Sequence, residues 1–539
     1  MTDANSPPVN LPSSSVGVES SPTLLGHPLG LFLLFCVEMW ERFSYYGIRA
    51  LLFIYMTKEL EVGGLGMSKT SAGSVMAVYL SSVYLLSLPG GWIADRFLGQ
   101  RKAVTIGGLG IVLGNVLLAV PNDSLFFPGL ALIALGTGLL KPNISTIVGQ
   151  LYSPTDVRRD AGFTIYYMGI NLGATVAPFV CGYLAQEPSF RAFLVSHDID
   201  PTLCWHFGFA ASAVGMIGGL IQFLLGQNAL GTAGTHPTIP TDPARASRDR
   251  MVLGAIGGAL LLILVLLVVV APSKAVTVNT MGVGLVVGSI ALFFGLYHSA
   301  RDAKERRGVI AMIPLFLGAI GFFGIFEQAS TTLSAFTEDL TRREFLGINI
   351  QASYYQSVNG LFIVLLAPAF AWMWVRLARA NKEPSSVMKF AIGMVVLALS
   401  FVVMLPAKDA TAANPTSAGF LIALYFLYTC SELFISPVGL SSMSKLAPTR
   451  LAGMVMGTWF LAASIGNYLA GRAAAVSDKW GYGFLFTFLI ITSLVVAAAL
   501  FVVAPMIKRM MGSDAHGPAD KSEKAEPEPL PSARVVDKD

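Results

Sequence analysis

Four charged side chains lie close together in the first apolar run of the sequence. They belong to the stretch EMWERFSYYGIR, and they are Glu38, Glu41, Arg42 and Arg49. Carboxylates exchange protons, and guanidinium groups bind carboxylates. A charged side chain at the centre of a membrane costs about 2.5–3.5 kcal/mol on insertion scales, so such groups face a cavity or a partner and usually mark a transport pathway. These residues therefore indicate a pathway for a charged solute.

Helical periodicity places the four charges on one face of this span. At about 100° per residue, Arg42 and Arg49 point within about 40° of Glu38. The same polar face also holds Glu41, Tyr45 and Tyr46. Glu38 and Arg42 form an i,i+4 pair in the favourable order. The alternative interpretation is a structural stripe of ion pairs that only packs helices together.

Three more charges lie deep in later apolar segments. They are Lys141 in GTGLLKPNIS, Glu327 in FFGIFEQAS and Glu432 in LYTCSELFISPVGL. The first half of the chain thus supplies basic groups and the second half acidic ones. Pairing across a central cavity would offset the desolvation of each charge. We predict gating ion pairs drawn from Arg49, Glu327, Lys141 and Glu432, and a substrate with one positive and one negative end; structural partners for buried helix ends are the alternative.

The composition of the chain indicates that membrane-spanning helices position these residues. Hydrophobic residues make up 54% of the 539 residues, and charged residues make up 13%, against about 25% charged residues in soluble proteins. Apolar runs long enough to span a bilayer recur along the chain. We predict an all-α polytopic membrane protein with 14 spans, at 30–56, 73–92, 103–121, 125–148, 162–184, 206–226, 251–271, 278–297, 311–336, 353–378, 386–406, 418–440, 451–474 and 483–505.

The spans group as six, two and six around a polar, proline-rich linker. Two parallel six-helix halves are a transporter architecture. Lysine and arginine concentrate in the loops that face inward if both termini are cytoplasmic, which predicts that orientation. The predicted domains are a disordered N-tail 1–28, a six-helix bundle 29–226, a linker 227–250, an inserted helical hairpin 251–300, a second six-helix bundle 301–506 and a disordered C-tail 507–539.

Several other classes of protein find no support in the sequence. The net charge of +4 comes without a basic patch, so we expect no nucleic-acid partner. The cysteines Cys36, Cys181, Cys204 and Cys430 show no metal-binding spacing, so we expect neither a metal site nor a disulfide framework. GxSxG and HExxH are both absent, so we do not expect an intramembrane enzyme.

The motifs together resemble one family. EMWERFSYYG, GGWIADRFLGQRK (90–102), KPNIS (141–145), FTIYYMGINLG (163–173) and SELFISPVGLSS (431–442) are similar to signatures of the proton-dependent oligopeptide transporter family, within the major facilitator superfamily. The similarity covers about residues 28–505. It implies the major facilitator fold and symport of di- and tripeptides with protons by alternating access. No cofactor is implied, because the proton is the coupling ion.

The resemblance also implies roles for individual residues. The proton-coupling residues would be Glu38, Glu41, Arg42 and Glu327. Arg49 would pair with Glu327 and contact substrate. The peptide carboxylate would be received by Arg42, Tyr46 and Lys141. The peptide amino group would be held by Asn171, Asn359 and Glu432, and aromatic lining would come from Tyr45, Tyr84 and Trp459.

Two positions depart from the family pattern, and a third differs from the animal members. Gly360 stands where the family commonly has proline, and Ser431 stands where it commonly has glycine. Ala77 lies at about the position where animal members carry a functional histidine, so coupling here must rest on carboxylates.

The expected location is the plasma membrane, as a multi-pass protein of a bacterial inner membrane. Two alternatives remain at this stage. The same fold could carry another small solute such as nitrate, a drug or a modified peptide, although an anion carrier has less need for Glu432. A peptide-sensing receptor would be expected to show an added signalling domain.

Overall fold

The structure is a computed structural model that describes most of the chain. The described residues are 23–235 and 275–511, without 154–155, 157, 343, 346 and 447–451, together with the isolated positions 237, 253, 254 and 258. The predicted span 251–271 and most of the predicted tails and linker therefore lie outside the described residues.

The first half of the described chain consists of eight helices. They are α1 Leu29–Thr57, α2 Lys69–Leu85, α3 Ser87–Ile93, α4 Gln100–Ala119, α5 Asp123–Gln150, α6 Arg159–Gln186, α7 Pro188–Ser196 and α8 Cys204–Gly226. A π-helical turn, Ala94–Leu98, continues α3, and short 3₁₀ turns lie at Leu60–Val62, Pro201–Leu203 and Gln227–Leu230.

The second half begins with the helix that covers the predicted span 278–297. Its helices are α9 Ala275–Ser299, α10 Ala303–Phe326, α11 Thr332–Leu340, α12 Tyr355–Arg379, α13 Ser386–Val402, α14 Ala418–Leu446 and α15 Ala452–Met511. The 3₁₀ turns here are Glu327–Ser330, Ala352–Tyr354 and Leu405–Ala407. Two small antiparallel hairpins, Thr23–Leu24 with His27–Pro28 and Glu344–Phe345 with Ile348–Asn349, are the strands of the described residues.

The helices agree with the predicted spans wherever the chain is described. Eleven stretches are long and apolar enough to cross a membrane. α1 is not among them because its four charges lower its apolar character. α15 has 60 residues and a non-helical Gly481, and at 1.5 Å per residue it is about three times as long as a bilayer core is thick. It therefore provides the last two spans, and every predicted span except 251–271 has a described helix.

The edges of the predicted domains need correction. Residues 23–28 were expected in a disordered tail, but they form a hairpin whose turn contains Gly26 at φ 81°. His27 Nδ1 lies 2.8 Å from the Tyr152 hydroxyl, and Arg158 donates to the Gly26 carbonyl at 2.8 Å. The start of the expected linker is also packed, because Arg101 donates to the Gly231 carbonyl at 2.6 Å. These side-chain contacts are long-range in sequence, and tail composition does not reveal them.

Helix α1 is buried on nearly all sides and lies at the centre of the first half. It packs mainly against α6 and α8. Glycines bring these backbones close: a Cβ on Gly173 would collide with the Met39 carbonyl, and one on Gly47 would lie 2.7 Å from Ser212 Oγ. Small residues are the usual means of close helix packing in membranes. As a result, the charged face of α1 is held inside the protein and not toward lipid.

The two halves meet along α2 and α15. Gly73 and Gly471 face each other, and a Cβ on either would collide with the carbonyl oxygen of the other. Ser81 Oγ donates to the Ser464 carbonyl at 2.9 Å, and Ser464 Oγ donates to the Ser81 carbonyl at 2.8 Å. All four residues are thus part of one close, reciprocal contact between helices, which we call the α2–α15 seam.

Polar contacts between the halves cluster where α1 ends and α2 begins. Lys58 Nζ lies 2.8 Å from a Glu338 carboxylate oxygen, and Lys69 Nζ lies 2.9 Å from an Asp339 oxygen. Gln186 donates to Glu338 at 3.0 Å. Among the described residues these contacts join the two halves at this end of the protein.

The α2–α15 seam predicts that Gly73→Ala destabilises the protein, because a Cβ there has no space. Overpacking of this kind typically costs about 1–3 kcal/mol. The measurement is thermal unfolding of the purified protein in detergent. Gly218→Ala is the control, because a Cβ on Gly218 meets nothing within 4 Å. Equal melting temperatures for the two variants would contradict the close approach described here.

Candidate functional site

A cavity of about 130 Å³ lies between the two halves at mid-depth. Its first-half wall contains Tyr46, Arg49, Tyr84, Tyr167, Ile170, Asn171 and Ala174. Its second-half wall contains Phe323, Phe326, Glu327, Ala329, Gln356, Asn359, Gly360, Ile363, Tyr425, Tyr428 and Glu432. Small-molecule sites typically measure about 300–1,000 Å³. The cavity is smaller than such sites, so the two halves would have to separate to form a site of that volume.

The predicted site residues divide between this cavity and a buried cluster beside it. Seven of them line the cavity, namely Tyr46, Arg49, Tyr84, Asn171, Glu327, Asn359 and Glu432. The others do not line it; they are Glu38, Glu41, Arg42, Tyr45, Lys141 and Trp459. The sequence did not distinguish these two groups.

The buried cluster is centred on Arg42. Its Nε lies 3.3 Å from a Glu38 carboxylate oxygen, which confirms the predicted i,i+4 pair. Arg42 also pairs directly with Glu41. The Tyr166 hydroxyl donates to the second Glu38 oxygen at 2.7 Å. All three charged side chains are at most 3% exposed, so two carboxylates share one guanidinium away from water.

Arg49 and Glu327 form an ion pair across the two halves. The Arg49 guanidinium donates directly to the Glu327 carboxylate, and both side chains are buried. Glu327 ends α10 and opens a 3₁₀ turn, and the backbone departs from helical geometry again at Thr331 with φ −126° and ψ −98°. The predicted single span 311–336 is therefore broken at the residue that reaches the other half.

Lys141 contacts an aromatic ring of the cavity wall. Its Nζ lies 4.3 Å from the centre of the Tyr84 ring, within cation–π range. Tyr84 itself lines the cavity. Lys141 and Glu432 are both described, and no ion pair joins them in this conformation. Their proposed gating role stays a prediction.

The Asn359 amide donates to Glu432 on the opposite wall. The Asn359 side chain donates to a Glu432 carboxylate oxygen at 3.1 Å and to Thr429 Oγ1 at 3.0 Å. Asn171 donates to the Tyr167 carbonyl at 3.1 Å and also lines the cavity. No described cation lies within ion-pair distance of Glu432. This carboxylate has neutral donors only and retains capacity to accept further hydrogen bonds.

Three predicted aromatic residues take different positions. Tyr46 lies on the cavity wall, with its ring centre 5.7 Å from the Arg49 guanidinium carbon. Tyr45 is buried with its ring centre 5.0 Å from the Arg42 guanidinium carbon. Trp459 packs edge-on against Phe323 at 5.5 Å between ring centres, so it supports the wall and does not form it.

Other wall residues were missed from the sequence. Tyr166 positions Glu38 and does not line the cavity, whereas Tyr167, Ile170 and Asn171 of the same FTIYYMGINLG stretch do. The cavity also takes Tyr425, Tyr428 and Gln356 from the second half. Tyr425, Tyr428 and Glu432 follow helical spacings of three and four residues, which was a signal for this wall, but core packing gives the same pattern. The acidic residues Glu338 and Asp339, which pair with Lys58 and Lys69, were likewise not distinguished from loop charges.

Both departures from the family pattern have a local structural explanation. A Cβ on Gly360 would lie 2.6 Å from Thr175 Oγ1, so glycine lets α12 approach α6 closely. Ser431 is buried and donates to the Gly393 carbonyl at 2.8 Å. Neither position changes the charges of the cavity.

Metal and thiol chemistry have no candidate centre in the described part of the chain. Its histidine, cysteine and acidic residues form no group of three or more that could hold a metal ion. The four cysteines are free thiols, and Cys181 Sγ lies 3.5 Å from Ser212 Oγ. Charged and aromatic side chains are therefore the groups available to a solute in the cavity.

Two helical halves around a cavity with charges of both signs define a polytopic membrane transporter of the major facilitator type. A model of the POT family matches residues 101–483. The uncharacterized transporter YclF of Bacillus subtilis is 38% identical over 489 residues, covering 90% of this chain and 95% of that protein. A di-/tripeptide transporter of Lactococcus lactis subsp. cremoris is 35% identical over 507 residues, covering 92% and 98%.

Solved structures give the same result. A crystal structure of a peptide transporter in complex with alafosfalin is 38% identical with a TM-score of 0.81, covering 91% of this chain and 97% of that chain. A POT family transporter in complex with 5-aminolevulinic acid is 33% identical with a TM-score of 0.79, covering 90% and 98%. The chain belongs to the POT family, and the predictions of the fold and of a transporter, not an enzyme, are confirmed.

The buried Arg49–Glu327 pair predicts strong coupling between the two positions. Removing one partner of a buried pair leaves the other charge uncompensated and typically costs about 3–5 kcal/mol, whereas replacing both can be neutral. We expect Arg49→Met and Glu327→Met each to lower the melting temperature, and the double variant to be at least as stable as either. Thermal unfolding in detergent measures all three.

The exposed pair Arg158–Asp156 provides the comparison. Its side chains lie 2.8 Å apart, and the Arg158 hydrogen bond holds the pKa of the Asp156 carboxyl at about 2, so the pair is ionised at neutral pH. Exposed pairs contribute little, so Arg158→Met should change stability less than Arg49→Met does. Additive losses in the Arg49/Glu327 cycle would show that the two side chains are not coupled.

Proposed function

We propose that this protein is a proton-coupled symporter that imports di- and tripeptides by alternating access. It acts as a multi-pass protein of the plasma membrane, the inner membrane in a bacterium, with both termini cytoplasmic. Protons are the coupling ion, and no other cofactor takes part. The lipid bilayer surrounds the helices that are long and apolar enough to span it.

The observation that carries the proposal is the separation of charge across the cavity. Arg49 lies on the first-half wall, and Lys141 contacts the ring of Tyr84, which belongs to the same wall. Glu432 lies on the second-half wall and accepts a hydrogen bond from the neutral Asn359 amide. A peptide has a carboxylate at one end and an ammonium at the other, so it would connect the two walls and offset the desolvation of both.

The relatives support this choice of cargo. Named relatives include di-/tripeptide transporters of Lactococcus lactis and the dipeptide and tripeptide permease A of Escherichia coli. The ligands in the related crystal structures, alafosfalin and 5-aminolevulinic acid, belong to those proteins. Nitrate and other simple anions are disfavoured here because Glu432 would repel them and would lack a counter-charge.

Proton binding would act on the ion pair between the halves. Neutralising Glu327 removes the Coulomb attraction that holds Arg49, and the freed guanidinium becomes available to a peptide carboxylate. Glu38 and Glu41 share Arg42, so they form a second place where a proton changes the charge balance. The driving force is about 2.3 kcal/mol per charge for each 100 mV and about 1.36 kcal/mol per pH unit.

Uptake of labelled dialanine into proteoliposomes tests the cargo and the coupling together. An inward proton gradient should raise accumulation well above the level without a gradient, because the proton supplies the driving force. An excess of unlabelled dialanine should compete with the label, while nitrate should not. Gradient-independent uptake, or competition by nitrate alone, would overturn the proposal.

Glu327→Gln isolates the role of the cross-half carboxylate. This change keeps a similar shape but cannot ionise, so we expect proton-driven accumulation to be lost while counterflow exchange of dialanine is retained. Asp156→Asn is the control because its carboxylate lies outside the membrane-spanning segments and is exposed to solvent. Full proton-driven accumulation by Glu327→Gln would remove Glu327 from the coupling mechanism.

A further inference from the structure

A long apolar groove lies between helix α9 and helix α10. Its volume is about 450 Å³. The walls include Ile290, Phe293 and Phe294 from α9 and Ile310, Ile313 and Leu317 from α10. Ser289 is the α9 serine in the wall, and its hydroxyl already donates to the Leu285 carbonyl at 2.7 Å.

The groove lies along the outward side of the contact between α9 and α10. Met281, Leu285 and Leu296 are buried, and the Phe293 ring centre lies 5.0 Å from that of Phe316, so α9 packs on the bundle along its length. On the other side of α9, Ile290 is 65% exposed and Phe294 is 64% exposed. These apolar side chains leave one side of the groove open.

A cluster of positive charge lies at one end of this groove. The segment RDAKERR, residues 301–307, begins between the two helices and continues into the start of α10; we call it the charged turn. Its exposed basic residues are Arg301, Lys304, Arg306 and Arg307. Its carboxylates accept from its own backbone: Asp302 accepts from the Glu305 N–H at 2.8 Å, and Glu305 accepts from the Arg301 N–H at 2.7 Å. No described carboxylate forms an ion pair with the basic residues.

Arg306 connects the charged turn to the groove. At about 100° per residue, it shares one face of α10 with Ile310, Ile313 and Leu317, which form that wall. Its guanidinium carbon lies 5.6 Å from the ring centre of Tyr297, which lines the groove from the other side. The guanidinium therefore stands at the mouth of the groove, while Lys304 points about 160° away from it.

We propose that this groove and its basic mouth form a binding site for an anionic phospholipid. An acyl chain occupies the groove, which runs for about 12 Å along α10 at 1.5 Å per residue. The phosphate lies at the mouth, where Arg306 offers a planar pair of donors that suits a phosphate. Basic pockets between membrane helices on the cytoplasmic side are suited to such headgroups. The lipid would fill the groove on the outward side of the contact between α9 and α10.

Charge complementarity selects this occupant over a second copy of the chain. Two identical grooves that met would bring two clusters of four basic residues together, and like charges placed face to face are unfavourable. An anionic headgroup, in contrast, supplies the missing negative charge. A neutral phospholipid would satisfy the apolar walls but not Arg306.

The test is native mass spectrometry of the purified full-length protein in detergent with equal amounts of phosphatidylglycerol and phosphatidylcholine. We expect preferential retention of phosphatidylglycerol, with an about fivefold loss in Arg306→Gln, from the usual contribution of one basic residue near anionic lipid. Lys304→Gln, which removes the same charge from the opposite face, should retain it. Arg306→Lys should keep most of the preference because the charge remains.

Ile313→Trp tests the acyl-chain part of the site by filling the groove. It should lower phosphatidylglycerol retention while thermal unfolding shows that the protein remains folded. The proposal is overturned if both phospholipids are retained equally, or if Lys304→Gln loses as much phosphatidylglycerol as Arg306→Gln. It is also overturned if the wild type is a dimer that Ile313→Trp dissociates and Arg306→Gln leaves intact, because a second copy would then occupy the groove.

Discussion

The free energy required to bury charge in an apolar protein governs how this transporter is built. Arg42 is surrounded by the carboxylates of Glu38 and Glu41, and Arg49 is paired with Glu327. Each of these groups is stable at its depth because an opposite charge lies beside it. Any event that neutralises one partner, such as protonation, changes the energy of the other. Under the proposed function, the same pairs that allow the helices to assemble would give the protein its sensitivity to protons and charged solutes.

The break in the α10 span follows from this constraint. A continuous helix would fix the direction of residue 327 by its position in the turn, whereas the 3₁₀ turn Glu327–Ser330 lets the chain redirect there. The freed backbone is not left without partners: Ser330 donates to the Glu327 carbonyl at 3.0 Å, and Gln328 donates to the Gly324 carbonyl at 2.9 Å. Irregular backbone at membrane depth is tolerated where protein or a cavity surrounds it.

The sequence was sufficient to predict the fold, the charged face of α1 and the contact between Glu38 and Arg42. Helical periodicity and the free-energy cost of placing a charge in a membrane both act locally along the chain. It also placed Arg49 and Glu327 in opposite halves. It did not separate the residues that line the cavity from those that do not. Lys141 contacts Tyr84 and Trp459 contacts Phe323, and these two aromatic residues line the cavity in their place. The ordered hairpin at 23–28 was missed for a similar reason, since its contacts are distant in sequence.

The α2–α15 seam has a mechanical consequence. Ser81 and Ser464 exchange hydrogen bonds across a contact where the backbones almost touch. Because the two bonds are reciprocal and the facing glycines leave no space between the backbones, the seam is suited to serve as a fulcrum about which one half tilts against the other. The ion pairs that join Lys58 and Lys69 to the second half lie beyond one end of this seam. The distance from such a fulcrum, more than the strength of a single contact, would then determine how far each part of the cavity opens.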